Sequence, residues 1–159
     1  MKWLIIEDAL RDRKGHWLEY VSTFVRELRE LGDEVLVLCD ARAQGVVMEQ
    51  TGALPVLPES IWHRMGDGAG MLKRYLRVPG HAVATFFAMR KFFKKFNHRG
   101  HGEHGVGVDT QGEAQGDALD WIFVPTVLAH HLLGWWLLWK TGALPGESRV
   151  LLFLAFCRE

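Results

Sequence analysis

The sequence predicts an α/β fold: a doubly wound parallel sheet of about five strands in the order 3-2-1-4-5, with helices on both faces. Three observations predict it. Short apolar runs with β propensity alternate along the chain with amphipathic stretches of helical period. The runs Trp3-Leu4-Ile5-Ile6 and Val35-Leu36-Val37-Leu38 are continuous rather than alternating, as strands covered on both faces are. The segment between them is long enough for a helix, so the pair is joined by a crossover and runs parallel.

The first strand ends at Glu7 and Asp8, and Lys14-Gly15-His16 precedes a helix that runs to Gly32. Within that helix Trp17, Val21, Phe24 or Val25, Leu28 and Leu31 recur at three- and four-residue steps as a core stripe, opposite a solvated face of Arg26, Glu27, Arg29 and Glu30. Glu34 to Asp40 is the second strand. Ala43 to Thr51 reads as a second helix closed by Gly52, and Ala53 to Pro58 as a short third strand whose two prolines place it at a sheet edge. Met71 to Asn97 is helical in composition, and Pro79-Gly80 is expected to divide it into two helices near Val78. Gly100 to Asp117 holds six glycines and no aromatic residue, so residues 99–118 read as a mobile Gly/His-rich loop. Asp120 to Pro125 restores a strand, Thr126 is placed as the N-cap of a helix ending at Gly142, and Arg149 to Phe156 is the fifth strand. Residues 1–159 thus read as a single domain of Rossmann-like layout. Ligands of such domains sit at the carboxyl ends of the strands, which puts Glu7 to His16 at the mouth of any site.

With 159 residues, 48% apolar, the chain is long enough to bury a sizeable core. Nineteen Lys and Arg balance nineteen Asp and Glu, so net charge selects no partner. Cys39 and Cys157 have neither metal-ligand nor redox-motif spacing and read as reduced core residues of a cytoplasmic protein. The most apolar late run, Val127 to Trp139, is thirteen residues long, whereas a bilayer span needs roughly twenty. No transmembrane helix is expected, and the first strand is too short an apolar run for a secretory signal.

The turn after the first strand carries a family resemblance. Lys14-Gly15-His16-Trp17-Leu18-Glu19-Tyr20, then Glu27-Leu28 and Leu31-Gly32-Asp33-Glu34-Val35, resembles the opening of GT-B glycosyltransferases of the large retaining class, the family 4-like enzymes. A glycine there lets the backbone approach a diphosphate or sugar, and the helix start offers unpaired N–H groups. The family usually has a glycine pair, and Lys14 replaces the first of them. Asp120-Trp121-Ile122-Phe123-Val124-Pro125-Thr126 is similar to the family's fourth strand entering its fourth helix, without the histidine that many members carry in that loop. The resemblance implies an acceptor-side, N-terminal half of an enzyme that transfers a hexose from a nucleotide sugar to a saccharide or lipid-linked acceptor. It implies no cofactor, and a C-terminal donor domain that this chain lacks, so the chain alone is expected to be inactive. Lys14, Gly15 and His16 are the expected phosphate or acceptor contacts, with Thr126 across the crevice. No residue is assigned as catalytic base or nucleophile.

A basic segment is the second clue. Between Gly68 and Gly102 there are eight Lys and Arg and no Asp or Glu. Phe86, Met89, Phe92, Phe93 and Phe96 share one helical face, and Arg90, Lys91, Lys94 and Lys95 the other. One reading makes the phenylalanines core and the cations a solvated face. The other makes an interfacial helix on an anionic membrane surface, giving a protein peripheral at the inner face of the membrane. No nucleic-acid motif accompanies the charge, and nucleic acid is not an expected partner.

No metal site is expected, although His98, His101 and His104 with Glu103 carry metal-binding side chains, because ordering a glycine-rich segment around an ion is entropically costly. His130 and His131 read either as helix residues with satisfied hydrogen bonds or as catalysts. Trp135, Trp136 and Trp139 lie on a helix apolar almost all round, which implies burial or a partner surface. A receiver domain shares the Glu7-Asp8 pair but also needs an aspartate closing the third strand and a lysine closing the fifth, and neither is present. A dinucleotide-binding oxidoreductase needs two further glycines in the first turn. The alternative from a different class is a non-catalytic binding or interaction module, since fold alone does not fix function.

Overall fold

Trp3 to Ile6 and the strands that flank them form the middle of a five-stranded, all-parallel sheet. The computed structural model describes residues 1–14, 16–61, 71–99, 119–127 and 129–154, with the side chains of 71–76, 97–99, 129–130 and 153–154 left aside. In chain order the elements are β1 (Lys2–Glu7), α1 (Trp17–Glu30), β2 (Glu34–Asp40), α2 (Gly45–Thr51), β3 (Leu54–Leu57), α3 (Met71–Arg99), β4 (Trp121–Val127), α4 (Ala129–Lys140) and β5 (Arg149–Leu154). The sheet order is β3-β2-β1-β4-β5, as the sequence predicts. Leu4 pairs with Leu36 on one side and Ile122 on the other, and Ile5 with Val37 and Phe123.

Successive β1 side chains point to opposite faces, so the continuous apolar run feeds two cores. Leu4 and Ile6 join Leu38, Leu57, Ile122 and Val124 beneath α3 and α4, where Phe86, Met89, Phe93 and Leu138 cover them. Ile5 joins Val37, Cys39 and Phe123 beneath α1 and α2, covered by Leu18, Val21, Val25 and Val47. Helices on both faces are what made the strands read as unbroken hydrophobic runs.

Several expectations are corrected. Pro79 does not divide the basic segment: α3 is one helix through it. Pro79 and Gly80 both lie on the exposed side, where the carbonyl one turn earlier, deprived of its partner by the proline, can be hydrated. Thr126 is not an N-cap. It lies inside β4, which runs two residues past the expected end, and α4 begins only at Ala129. Pro125, which has no N–H to give, sits where the β4–β5 register shifts between Val124 and Val127. Leu31 leaves the core stripe because it is the α1 C-cap, 77% exposed, while Leu18 takes a buried position. The second helix is closed as expected, by Gly52 in the left-handed region at φ 71°.

The phenylalanine face of α3 is core: Phe86, Met89 and Phe93 are buried, and Phe92 and Phe96 pack against the same cluster. Arg90, Lys91, Lys94 and Lys95 are exposed on the opposite side. Among the described residues no helix is long and apolar enough to cross a membrane. Trp135 is buried, whereas Trp136 and Trp139 are exposed. The expected loop 99–118, His130 and Cys157 lie outside the residues or side chains described.

Candidate functional site

The order β3-β2-β1-β4-β5 reverses direction between β1 and β4, and in open α/β sheets ligands bind in the crevice outside the carboxyl ends of the strands at such a point. The chain leaving β1 is held across the neighbouring strand ends. The Asp40 amide donates to the Leu10 carbonyl (3.3 Å) and the Gln44 amide to the Arg11 carbonyl (2.8 Å). Glu59, just past β3, accepts from Arg11 and pairs with Arg42, each at 2.8 Å. Asp40, fully buried, accepts from the Arg42 and Ser60 amides. The segment after β1 is therefore braced by charge-assisted bonds to the loops after β2 and β3, and the crevice has a fixed wall.

Glu7 ends β1 and Asp8 follows it in the turn, and the two side chains go to different faces of the sheet. Glu7 is 1% exposed. Burial pushes its carboxyl up from 4.5 to about 8, the charge on Asp8 adds to the shift, and Thr126 and the Ala9 amide oppose it. The Ala9 amide donates to Glu7 Oε1 at 3.0 Å. The Thr126 side chain opposes the shift as a hydrogen-bonding neighbour of the carboxyl, although Glu7 Oε2 makes no hydrogen bond of ordinary geometry among the described residues. The Tyr20 hydroxyl is pushed up by burial and then by the Glu7 charge.

Asp8 turns toward α3 and α4 and meets two histidines. Its Oδ2 lies 3.3 Å from His81 Nε2 and 3.4 Å from His131 Nε2. All three side chains are buried, at 7%, 1% and 7% exposure for Asp8, His81 and His131. The two imidazoles stand 5.4 Å apart with ring planes inclined by 45°. Beside them is a cavity of about 20 Å³ lined by Ile6, Asp8, Thr85, Thr126, His131 and Trp135, among others. That is room for one water or ion and not for a sugar.

Close helix packing creates this meeting. At Gly134, one turn after His131, an added Cβ would lie 3.2 Å from the carbonyl oxygen of Ala82, the neighbour of His81. The missing side chain lets α3 and α4 approach at the level of the two histidines.

Of the residues expected at the site, Thr126 lines this cavity with Asp8 and His131. Lys14 and His16 do not line it. Both are exposed on the segment entering α1, where the Lys14 amide donates to Asp12 Oδ1 (2.8 Å) and His16 stacks on Trp17 at 4.7 Å. Gly15 lies outside the described residues. Sequence reasoning placed Asp8 at the mouth of the crevice but gave it no role, left His131 open, and passed over His81. His81 follows Pro79-Gly80, and only the fold of α3 brings it to the end of β1.

Fold and crevice define a Rossmann-like α/β domain with a buried polar cluster at its switch point. No protein-family model matches the chain, and no curated protein sequence matches it.

Proposed function

We propose that this chain is the acceptor-binding half of a GT-B-like glycosyltransferase, which holds a saccharide or lipid-linked acceptor while a donor domain presents a nucleotide sugar and its hexose. The observation that carries the reading is the switch point between β1 and β4, where polar side chains gather at the strand ends and Lys14 and His16 are exposed on the braced segment that leads from β1 into α1. The pattern from Lys14 to Val35 is the sequence support. The acceptor occupies the crevice above the small cavity, with Lys14 and His16 offering a cation and a ring to an anionic or sugar group.

The exposed cations of α3 suit an acceptor held at an anionic membrane surface. Lys91 and Lys95 flank a hollow of about 510 Å³ beside β3, floored by Pro55, Val56, Phe87 and Phe92. An apolar floor with a cationic rim fits the junction of a hydrocarbon chain and a phosphate. With Phe86 and Phe93 committed to the core, this contact is a peripheral one and not insertion of the helix.

The test is calorimetric titration of the chain with oligosaccharides, with a polyprenyl-phosphate sugar in nanodiscs, and with nucleotide sugars. Binding of one acceptor class that falls about tenfold in Lys14→Ala and His16→Ala, one lost contact each, supports the reading. Failure of every acceptor to bind, or binding untouched by both variants, overturns it.

A further inference from the structure

We propose that Asp8, His81 and His131 form a binding site for a single divalent transition-metal ion, zinc by the chemistry of its donors, which pins α3 and α4 to the end of β1. The site is independent of the glycosyltransferase reading. Three ligand atoms from three elements far apart in the chain lie within 4.8 Å of one another in a buried pocket.

The donor set selects the metal. Two imidazole nitrogens and one carboxylate oxygen suit zinc and its neighbours, whereas magnesium and calcium take oxygen ligands. The spacing selects the geometry. Zinc bonds of about 2.0–2.2 Å arranged tetrahedrally put neighbouring ligand atoms roughly 3.3–3.6 Å apart, while octahedral neighbours would stand near 3.0 Å. The Asp8 oxygen lies 3.3 Å from one imidazole nitrogen and 3.4 Å from the other. Both distances match a tetrahedral edge, and both exceed the 2.7–2.9 Å typical of a charge-assisted N–H···O bond. The third edge, between the histidines, is bounded only by the 4.8 Å that encloses the cluster, and an ion would draw the two rings to the same spacing.

The surroundings supply what an ion would need next. The adjoining cavity of about 20 Å³, which Asp8, Thr85, Thr126 and His131 help to line, has room for one water as a fourth ligand. Thr85, one turn beyond His81 on α3, has its Oγ1 buried with no hydrogen-bond partner among the described residues, and it would hold that water. The close approach of α3 and α4 at Gly134 fixes where the two histidines stand.

The experiment is titration of the EDTA-stripped full chain with ZnCl₂ by calorimetry and with CoCl₂ by visible absorption. One ion per chain should bind, with the intense d–d bands of tetrahedral cobalt. Asp8→Asn, His81→Gln and His131→Gln should each weaken binding by at least about 100-fold, more than loss of an outer partner costs. A chain carrying His98→Ala, His101→Ala and His104→Ala should bind as the wild type does, since those histidines offer the competing explanation. Zinc-edge X-ray absorption of the unmutated chain keeps the test independent of variant folding: a shell of two imidazoles and two oxygens is expected. Absence of binding, a weak octahedral cobalt spectrum, or binding abolished by the triple histidine variant and untouched by His131→Gln overturns the proposal. In the first and the last of these cases the cluster is a hydrogen-bonded His-Asp-His group.

Discussion

Gly134→Val is the sharpest probe of how the fold assembles its buried cluster. A Cβ at this position meets the Ala82 carbonyl oxygen at 3.2 Å and its carbon at 4.0 Å. The neighbour is backbone inside α3, so it cannot swing aside like a flexible side chain. Valine adds two methyl groups to that contact and has one strongly preferred rotamer in a helix. Overpacking of this kind costs about 1–3 kcal/mol, and the gain in helix propensity over glycine returns only about 0.3–0.5 kcal/mol. The net cost is about 0.5–2.7 kcal/mol, and at about 2–4 °C per kcal/mol for a domain of this size the melting temperature should fall by roughly 1–11 °C. Gly134→Ala sets a smaller clash against a propensity gain of about 1 kcal/mol and should lie within about 1 kcal/mol of the wild type. Urea denaturation followed by circular dichroism gives both values. A Gly134→Val chain as stable as the wild type would mean that α3 and α4 do not meet here, and the reasoning about the histidines would fail with it.

Glu7→Gln should alter how stability depends on pH. The folded carboxyl is raised to about 8, so between its ordinary 4.5 and about 8 the folded chain holds a proton that the unfolded chain has lost, and stability declines as pH rises through that window. The variant should flatten the decline, with a ceiling of roughly 4–5 kcal/mol at about pH 9 in EDTA; parallel urea curves for the two chains at about pH 5 and pH 9 would refute it. The two faces of α3 should separate cleanly. Phe93→Ala, at a fully buried position, should cost about 3–5 kcal/mol in denaturant titration, while Lys91→Glu, Lys94→Glu and Lys95→Glu together should change stability little and abolish flotation with anionic liposomes. Wild-type chain that fails to float would remove the membrane surface. The Cys39 thiol, pushed up to about 12 by burial and then by Asp40, should resist alkylation in native Cys157→Ser chain and react only with unfolding; fast native labelling would contradict its burial.

The architecture was legible because it rests on short-range patterns. Trp3-Leu4-Ile5-Ile6 announces a strand covered on both faces, and the α1 stripe at Val21, Val25 and Leu28 needs only helical period. Gly52 closes α2 because its left-handed φ favours glycine. The errors fell where tertiary context overrides a local signal. Pro79 reads as a break, but on a solvated face its unserved carbonyl costs little. Thr126 has N-cap chemistry, yet pairing with β5 carries the strand beyond it. The buried cluster was legible only in part. Position after β1 marks Asp8, whereas His81 and His131 acquire meaning from helix packing permitted by Gly134, which no periodicity records. Lys14 and His16 drew notice through a family pattern, and their exposure leaves them available to a ligand without arranging them around one.

The most direct test of the crevice is the amide spectrum of ¹⁵N-labelled chain titrated with the acceptor class that binds most tightly. Shifts confined to residues 8–16 and 121–131, and reduced in His16→Ala, are the predicted result. Shifts centred elsewhere, on the exposed Trp136 and Trp139 or along α3 alone, would contradict the assignment of the β1–β4 switch point as the ligand site.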